Sequence, residues 1–575
     1  MIHWFIFSTV IISANAFYDP NGPVVYTKNG PVRGIKSQSR SNKPYDSFLG
    51  IPYAKPPVGN LRFANPEHPE PWKDVYNATK YGPRCMQRNP FLSIETVYEG
   101  DEDCLYLNVY VPEIPKSEKL PVIFSIHWGG LTSGNGDGGY YNPKYFMDFE
   151  VILVIINYRV GILGFLSTLD DAAPGNFGLK DQVMALEWVQ DNICHFGGDA
   201  KNVTIMGASA GAGSVHLHMV SPRSEGLFGR AISQSGAGIA LWMSSTNQAQ
   251  LTAAYTQAEF VNCSSWIGNH TELVNCFRNV PAMELLHSQE NFVFFAMFPF
   301  TVWLPVTETL TAQNPKPFLL KQAKEYLEAG EFRRVPWLTG MTRAEGLAVA
   351  LPIFIPDERR IALNNSFNTV VPALLALPDS SQFPAVSDFY LNGENNVDLN
   401  KVVNDAEWRN GFINMFSDRF FGQPLSESIS IQLKHGHKSL YLYSFEYEGK
   451  DTHARLFSTQ DSFNYRWGVT HLDDVLYQFE APDLINPLSH PNDIAFSRIW
   501  ISLWINFAVC GEPNPSHHKI IPNIDWNPLR MGPDGRLRNK DILFMNVTGN
   551  YTSGARFKLT RGFYGKRMSF WANLK

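Results

Sequence analysis

Ser209 stands between two glycines, in Gly207-Ala208-Ser209-Ala210-Gly211, directly after the short run Val203-Thr-Ile-Met206 and before a stretch of small and apolar residues. That order predicts a strand, a sharp turn and a helix, with the serine at the apex. So tight a reversal brings backbones together that side chains at 207 and 211 would push apart, and it holds the hydroxyl out over the end of the sheet. Amides at the helix N-terminus point at the same spot, so negative charge developing beside Ser209 would meet the positive end of a dipole and the N–H of Ala210. The chemistry such a serine can do is nucleophilic attack on an acyl carbon. A second stretch fits the same chemistry. After the apolar run Val122-Ile-Phe-Ser-Ile126 comes His127-Trp128-Gly129-Gly130-Leu131-Thr132-Ser133-Gly134, and the paired glycines free the N–H groups of Gly129 and Gly130 to bind an oxyanion. A phosphate cradle is the competing use of such a loop, but no G-x-x-x-x-G-K-[ST] follows.

A serine nucleophile needs a base. Seven histidines lie in the carboxyl-terminal part of the chain, His435, His437, His453, His471, His490, His517 and His518, and spacing alone does not select among them. A metal is not expected, because C-x-x-C and H-E-x-x-H are both missing. His216 and His218, two apart on a helix, face different ways and read as structural. No cofactor is expected either.

The elements that must position these residues follow a recognisable rhythm. Residues 24–27 and 32–35 flank Asn29-Gly30, a hairpin signal that places a small antiparallel sheet at the amino end. Further strands are expected at 107–112, 122–126, 151–158 and 203–206, then at 230–234, 335–339 and 440–444. A helix is expected over 181–193, with Val183, Leu186, Val189 and Ile193 on one face and Gly197-Gly198 as its stop. Long apolar strands alternating with helices belong to a mostly parallel α/β sheet covered on both faces, and ligands gather at the carboxyl ends of its strands.

The chain has 575 residues without a long linker, a repeat or a low-complexity tract, so one large unit over 17–575 is expected. Hydrophobic content of 44% and aromatic content of 13% can build a large core. The net charge of -6 provides no basic stripe, which argues against a nucleic-acid partner. Residues 4–12 form an apolar run too short to span a bilayer, followed by Ser13-Ala14-Asn15-Ala16, so residues 1–16 read as a signal peptide cleaved after Ala16. Asn-x-Ser/Thr sequons make Asn77, Asn262, Asn269, Asn364, Asn546 and Asn550 candidate glycosylation sites, with Asn202 the least credible because the serine strand begins there. The carboxyl end carries neither a retention signal nor a hydrophobic tail, so a secreted protein without membrane anchor is expected. In that compartment Cys85 pairs with Cys104 and Cys263 with Cys276, whereas Cys194 and Cys510, in apolar helical patterns, are expected as buried free thiols. The oligomeric state is not legible.

Taken together, Leu61-Arg62-Phe63, Glu102 to Val109, the His127 loop, Asn157-Tyr158-Arg159, Gly178 to Gln182, Gly207 to Gly211 and Gly468-Val469-Thr470-His471-Leu472-Asp473-Asp474 resemble the type-B carboxylesterase and cholinesterase family of the α/β-hydrolase fold. The resemblance runs from about Pro23 to the region of Phe570, and within the family it is nearest to insect juvenile hormone esterase-type carboxylesterases. It implies that His471 is the base and that Glu345, in Thr339-Gly-Met-Thr-Arg-Ala-Glu345-Gly346, is the acid that orients it. It also implies that Ser209, through an acyl-enzyme, hydrolyses a small apolar ester. The stretch Phe298-Pro-Phe-Thr-Val-Trp-Leu-Pro305 is similar to the family's acyl-pocket segment, which places Phe300 and Trp303 at the pocket, and Trp128 stands where a glycine is usual in the oxyanion loop. Two departures narrow the substrate. Ala208 replaces the glutamate that cholinesterases carry before the nucleophile, and the Cys85–Cys104 loop has no tryptophan to stack on a quaternary ammonium, so choline esters are not expected. Juvenile hormone esterases usually have glutamine at that position, which leaves juvenile-hormone-type, odorant and xenobiotic esters open. The alternatives of another class are an inactive adhesion-type relative and a lipase.

Overall fold

The computed structural model of the chain describes residues 22–91, 96–113, 119–393, 404–458, 466–532 and 537–574, so the signal-peptide reading of residues 1–16 lies outside the described residues. Among the described residues, eleven strands form the main sheet. In chain order they are β1 (Ile35–Gln38), β2 (Pro44–Pro52), β3 (Tyr106–Pro112), β4 (Leu120–Ile126), β5 (Ile152–Ile156), β6 (Gly198–Ala208), β7 (Arg230–Gln234), β8 (Trp337–Thr342), β9 (Leu440–Phe445), β10 (Leu543–Asn550) and β11 (Gly554–Arg561). Their spatial order is β11-β10-β9-β8-β7-β6-β4-β5-β3-β2-β1. From β10 across to β5 all neighbours run parallel. The edges, β11 on one side and β3, β2 and β1 on the other, are antiparallel.

Every residue of β5, β8 and β9 is buried, as strands covered on both faces must be. Helix α1 (Phe177–Asn192) begins earlier than the apolar pattern suggests and is buried on nearly all sides. Its charged residues go in paired: Asp181 takes two bonds from the Arg159 guanidinium at 2.7 and 2.8 Å, and Lys180 lies 2.5 Å from Glu308. Polar residues with buried partners hide a helix from any reading of hydrophobic periodicity. The helix closes in a 3-10 turn, Ile193–Phe196, stopped by Gly197 at φ 85°. Helix α2 (Ala210–Val220) follows the serine, α3 (Leu347–Phe354) follows the Glu345 loop, and α4 (Pro491–Cys510) packs on the sheet. By length and composition α4 is apolar enough to cross a membrane. Here it is a core helix, with Trp500 and Trp504 fully buried against Tyr443 of β9.

The amino-terminal hairpin pairs Val24–Thr27 with Gly30–Arg33 and belongs to a separate three-stranded sheet. Cys85–Cys104 and Cys263–Cys276 are disulfides. Cys194 and Cys510 are free thiols but exposed rather than buried, because each sits where a helix ends and the chain leaves the core. Among the sequons, Asn77, Asn262, Asn269 and Asn364 are exposed. Asn546 is a poor acceptor: it lies in β10, paired on both sides, with its Oδ1 buried.

Candidate active site

The turn at Ser209 has the backbone its neighbours require. Ser209 sits at φ 54° and ψ -120°, a region costly for any residue with a side chain. Two bonds hold it there, from its own N–H to the Gln234 carbonyl and from the Gly213 N–H to its carbonyl, both 2.9 Å. The flanking glycines are forced by contact. A Cβ on Gly211 would lie 2.2 Å from the Ile126 carbonyl oxygen, and one on Gly207 would lie 2.4 Å from the Gly211 carbonyl carbon. Ser209 therefore crosses directly over the end of β4, where the glycine loop begins.

That loop is held from below. His127 is fully buried, stacks on Tyr158 at 4.2 Å and donates from Nδ1 to the Trp128 carbonyl at 2.8 Å. Burial pulls its pKa down to about 4, so the ring is a neutral strut. Gly129 and Gly130 adopt φ 129° and 64°, and their N–H groups, like that of Ala210, find no acceptor among the described residues. The Trp128 N–H is spent inside the loop, donating to the Tyr141 hydroxyl at 3.1 Å. The ring stacks on Tyr140 and forms part of the cavity wall.

Glu345 and His471 come from loops after β8 and β9 and meet through a bridge between Ala344 and Thr470. Glu345 is wholly buried. One carboxylate oxygen accepts from Ser235 Oγ at 2.5 Å and from the Thr342 N–H at 2.6 Å, and the other accepts from His471 Nδ1 at 2.5 Å. Asp473 pins the histidine loop, taking the Thr470 N–H at 2.9 Å, the His453 N–H at 2.7 Å and the Thr452 hydroxyl at 2.8 Å. Of the later histidines, His471 alone bonds Glu345. His435 and His437 bond backbone carbonyls, and His490 caps α4. His216 and His218 are buried and bonded to Gln432 and Gln182, and among the described residues no cluster suits a metal.

Asp474, next to this loop, is a buried carboxyl whose Oδ2 accepts from Tyr443 at 2.7 Å and from Gln234 at 3.0 Å, while Oδ1 has no partner. Burial pushes its pKa up to about 6, and Glu345 adds to the rise. The folded chain thus keeps this proton where the unfolded chain has lost it. The associated stability is full below the ordinary value of 3.8 and lost as pH rises through about 6. Asp474→Asn can keep both bonds with its amide oxygen and needs no proton. Relative to wild type it is expected to gain on the order of 2 to 3 kcal/mol between pH 4 and pH 8 in urea unfolding. A pH-independent difference would contradict it.

A narrow cavity of about 50 Å³ lies over Ser209 and His471. Its walls are Phe91, Trp128, Gly129, Gly130, Trp242, Met297, Phe300, Ala348, Val349, Phe420, Phe421, Phe457 and Leu472. Phe300 is one of them. Trp303 is not: it is a core residue, with its indole N–H on Gln289 at 3.0 Å and its ring edge-on to Phe292. Most of these walls are not legible in the sequence, because an aromatic that lines a pocket and one that fills a core look alike there.

A serine at a strand–helix elbow, beneath a glycine loop and beside a histidine held by a glutamate, on a mostly parallel sheet, defines the α/β-hydrolase class. The Carboxylesterase family model matches residues 21–547. The juvenile hormone esterase of Tribolium castaneum is 44% identical over 563 residues, covering 96% of this chain and 94% of that protein. Venom carboxylesterase-6 of Apis mellifera is 32% identical over 574 residues, covering 97% and 95%. Among solved structures, juvenile hormone esterase from Manduca sexta with OTFP covalently attached superposes with a TM-score of 0.78 at 26% identity, over 96% of this chain and 99% of that one. The chain belongs to the carboxylesterase family, and it is a carboxylic ester hydrolase.

Proposed function

We propose that Ser209, His471 and Glu345 are the catalytic triad, and that the N–H groups of Gly129, Gly130 and Ala210 form the oxyanion hole. Ser209 Oγ has no hydrogen-bond partner among the described residues and is free to turn toward His471 Nε2. His471 takes the hydroxyl proton as Oγ attacks the ester carbonyl, and Glu345 keeps the proton on Nδ1 and stabilises the imidazolium. The three N–H groups bind the tetrahedral oxyanion. His471 then passes its proton to the departing alcohol, and water repeats the sequence on the acyl-enzyme.

The substrate we propose is an ester with apolar, uncharged groups on both sides. The observation that carries this is the cavity wall, where Ser209 and His471 are joined by aromatic and aliphatic side chains and no carboxylate. Choline esters would find no counter-charge there. Likeness to a juvenile hormone esterase favours a juvenile-hormone-type ester over odorant and xenobiotic esters. Neither alternative of another class has support of this kind. We also propose secretion after removal of residues 1–16, leaving 17–575 as one unit. The two disulfides, the apolar leader and the likeness to a venom carboxylesterase support it.

A competition panel on the secreted enzyme tests the substrate. A juvenile-hormone-type methyl ester should show a kcat/KM at least about tenfold above acetate odorants, aryl acetates and a choline ester, a difference of about 1.4 kcal/mol at the transition state. A flat profile would remove hormone specialisation, and turnover of the choline ester would remove the apolar-site reading.

A further inference from the structure

Two cavity walls, Phe420 and Phe421, come from a single turn of π-helix, Asp418–Gly422, that continues the helix Ala406–Ser417. Such turns are rare and concentrate at functional sites. This one packs on His471, and the residue just before it reaches the loop that carries Glu345. Ser417 Oγ accepts the Gly346 N–H at 2.8 Å beside Glu345, and the Phe421 ring packs 4.7 Å from the His471 imidazole. The Phe420 carbonyl in turn accepts the Trp242 indole N–H at 2.8 Å, tying the turn to another cavity wall.

The turn is held from outside the catalytic loops, by the carboxyl-terminal helix Gly565–Asn573. Arg567 bonds the fully buried Asp418 at 2.6 Å and Asn414 at 2.6 Å. Trp571 donates to the Tyr390 hydroxyl at 2.8 Å, and that hydroxyl donates to the other Asp418 oxygen at 2.5 Å. Met568 lies so near Gly422 that a Cβ there would come within 2.9 Å of it. A buried ion pair is a poor source of stability but a strong geometric constraint, since losing either partner strands a charge.

We propose that Arg567 and Asp418 are a positioning pair: from the carboxyl-terminal helix they set the π turn, and through Phe421 they hold the His471 imidazole in line with Ser209. The inference rests on His471 being the general base.

The test is a double-mutant cycle on the secreted enzyme, with kcat for a 4-nitrophenyl ester expressed per active site titrated with an organophosphate. Asp418→Asn and Arg567→Met are each expected to lower kcat per titrated site about 5- to 20-fold with KM changing less than about 3-fold, and Arg567→Lys to restore at least half of the loss in log units. Added to Phe421→Ala, Asp418→Asn should cost less than about 2-fold more, because the two act through one ring. Should Asp418→Asn or Arg567→Met not fold, Arg567→Lys and Trp571→Phe carry the same comparison with smaller losses. Unchanged kcat per titrated site, or full additivity with Phe421→Ala, overturns the proposal and leaves the pair a structural one. Asp148→Asn, at an ion pair outside the cavity walls, controls for destabilisation and should leave kcat per site unchanged. His471→Ala in the same assays separates the two readings. If it stays active, the base assignment fails; if it is inactive while the pair variants match wild type, only the positioning proposal fails.

Discussion

Ser209→Ala is expected to leave a folded protein whose kcat on a simple aryl ester is about 10⁵- to 10⁶-fold lower. The geometry makes this a clean experiment. Ser209 Oγ takes no part in the hydrogen bonds that hold the turn, which run through its own N–H and carbonyl, so alanine removes the hydroxyl and nothing else. Both residues carry a Cβ in the same backbone conformation, so the strain at φ 54° is unchanged and the melting temperature should stay within about 2 °C. Activity about 10³-fold over water can persist, because the N–H groups of Gly129, Gly130 and Ala210, the proposed oxyanion donors, remain. Rates measured on purified protein, with the melting curve as control, decide the matter. An undiminished rate would take the nucleophile away from this residue.

Glu345→Gln is the second large effect, a loss of about 10³ to 10⁴ in kcat, and its cause can be read from the donors around the carboxylate. One oxygen accepts from the Thr342 N–H, a donor that cannot turn round, and from Ser235; the other accepts from His471 Nδ1. A glutamine has one carbonyl oxygen to offer. The Thr342 N–H claims it, so the amide NH₂ is left facing Nδ1. That face of the imidazole must then accept, the proton moves to Nε2, and the nitrogen that should receive the serine proton is already occupied. Stability should fall far less than rate. A kcat within tenfold of wild type would show that this carboxylate does not set the tautomer.

Much of the site is legible in the sequence because its demands are local. The Gly207 constraint is of this kind, since a Cβ there meets the backbone of Gly211 four residues on, whereas Gly211 is constrained by the Ile126 carbonyl at the end of β4. The β-strands from 107–112 to 440–444 are legible for a related reason, since strands buried on both faces must be apolar throughout. The resemblance then selects Glu345 and His471, which lie far apart in the chain. Expectation fails where a side chain's fate depends on partners elsewhere. Trp303 and Phe300 stand three apart in one segment, yet Gln289 draws Trp303 into the core while Phe300 faces the cavity. Cys194 and Cys510 surface at helix ends. The long run of helices after Glu345 escapes because its buried polar residues are paired with distant groups.

By itself, the sequence determined the chemistry: a serine on a strained elbow, glycine amides before it, and a sheet with its ligand end at that elbow. The first two follow from steric limits on backbone over a few residues, and the third from strands that must be apolar throughout when both their faces are buried. Only the tertiary structure decided which side chains wall the cavity, that Glu345 spends its two oxygens on three donors, and that the carboxyl-terminal helix reaches His471 through Arg567, Asp418 and Phe421. Those outcomes depend on distances between segments far apart in the chain, which packing sets and no local pattern encodes.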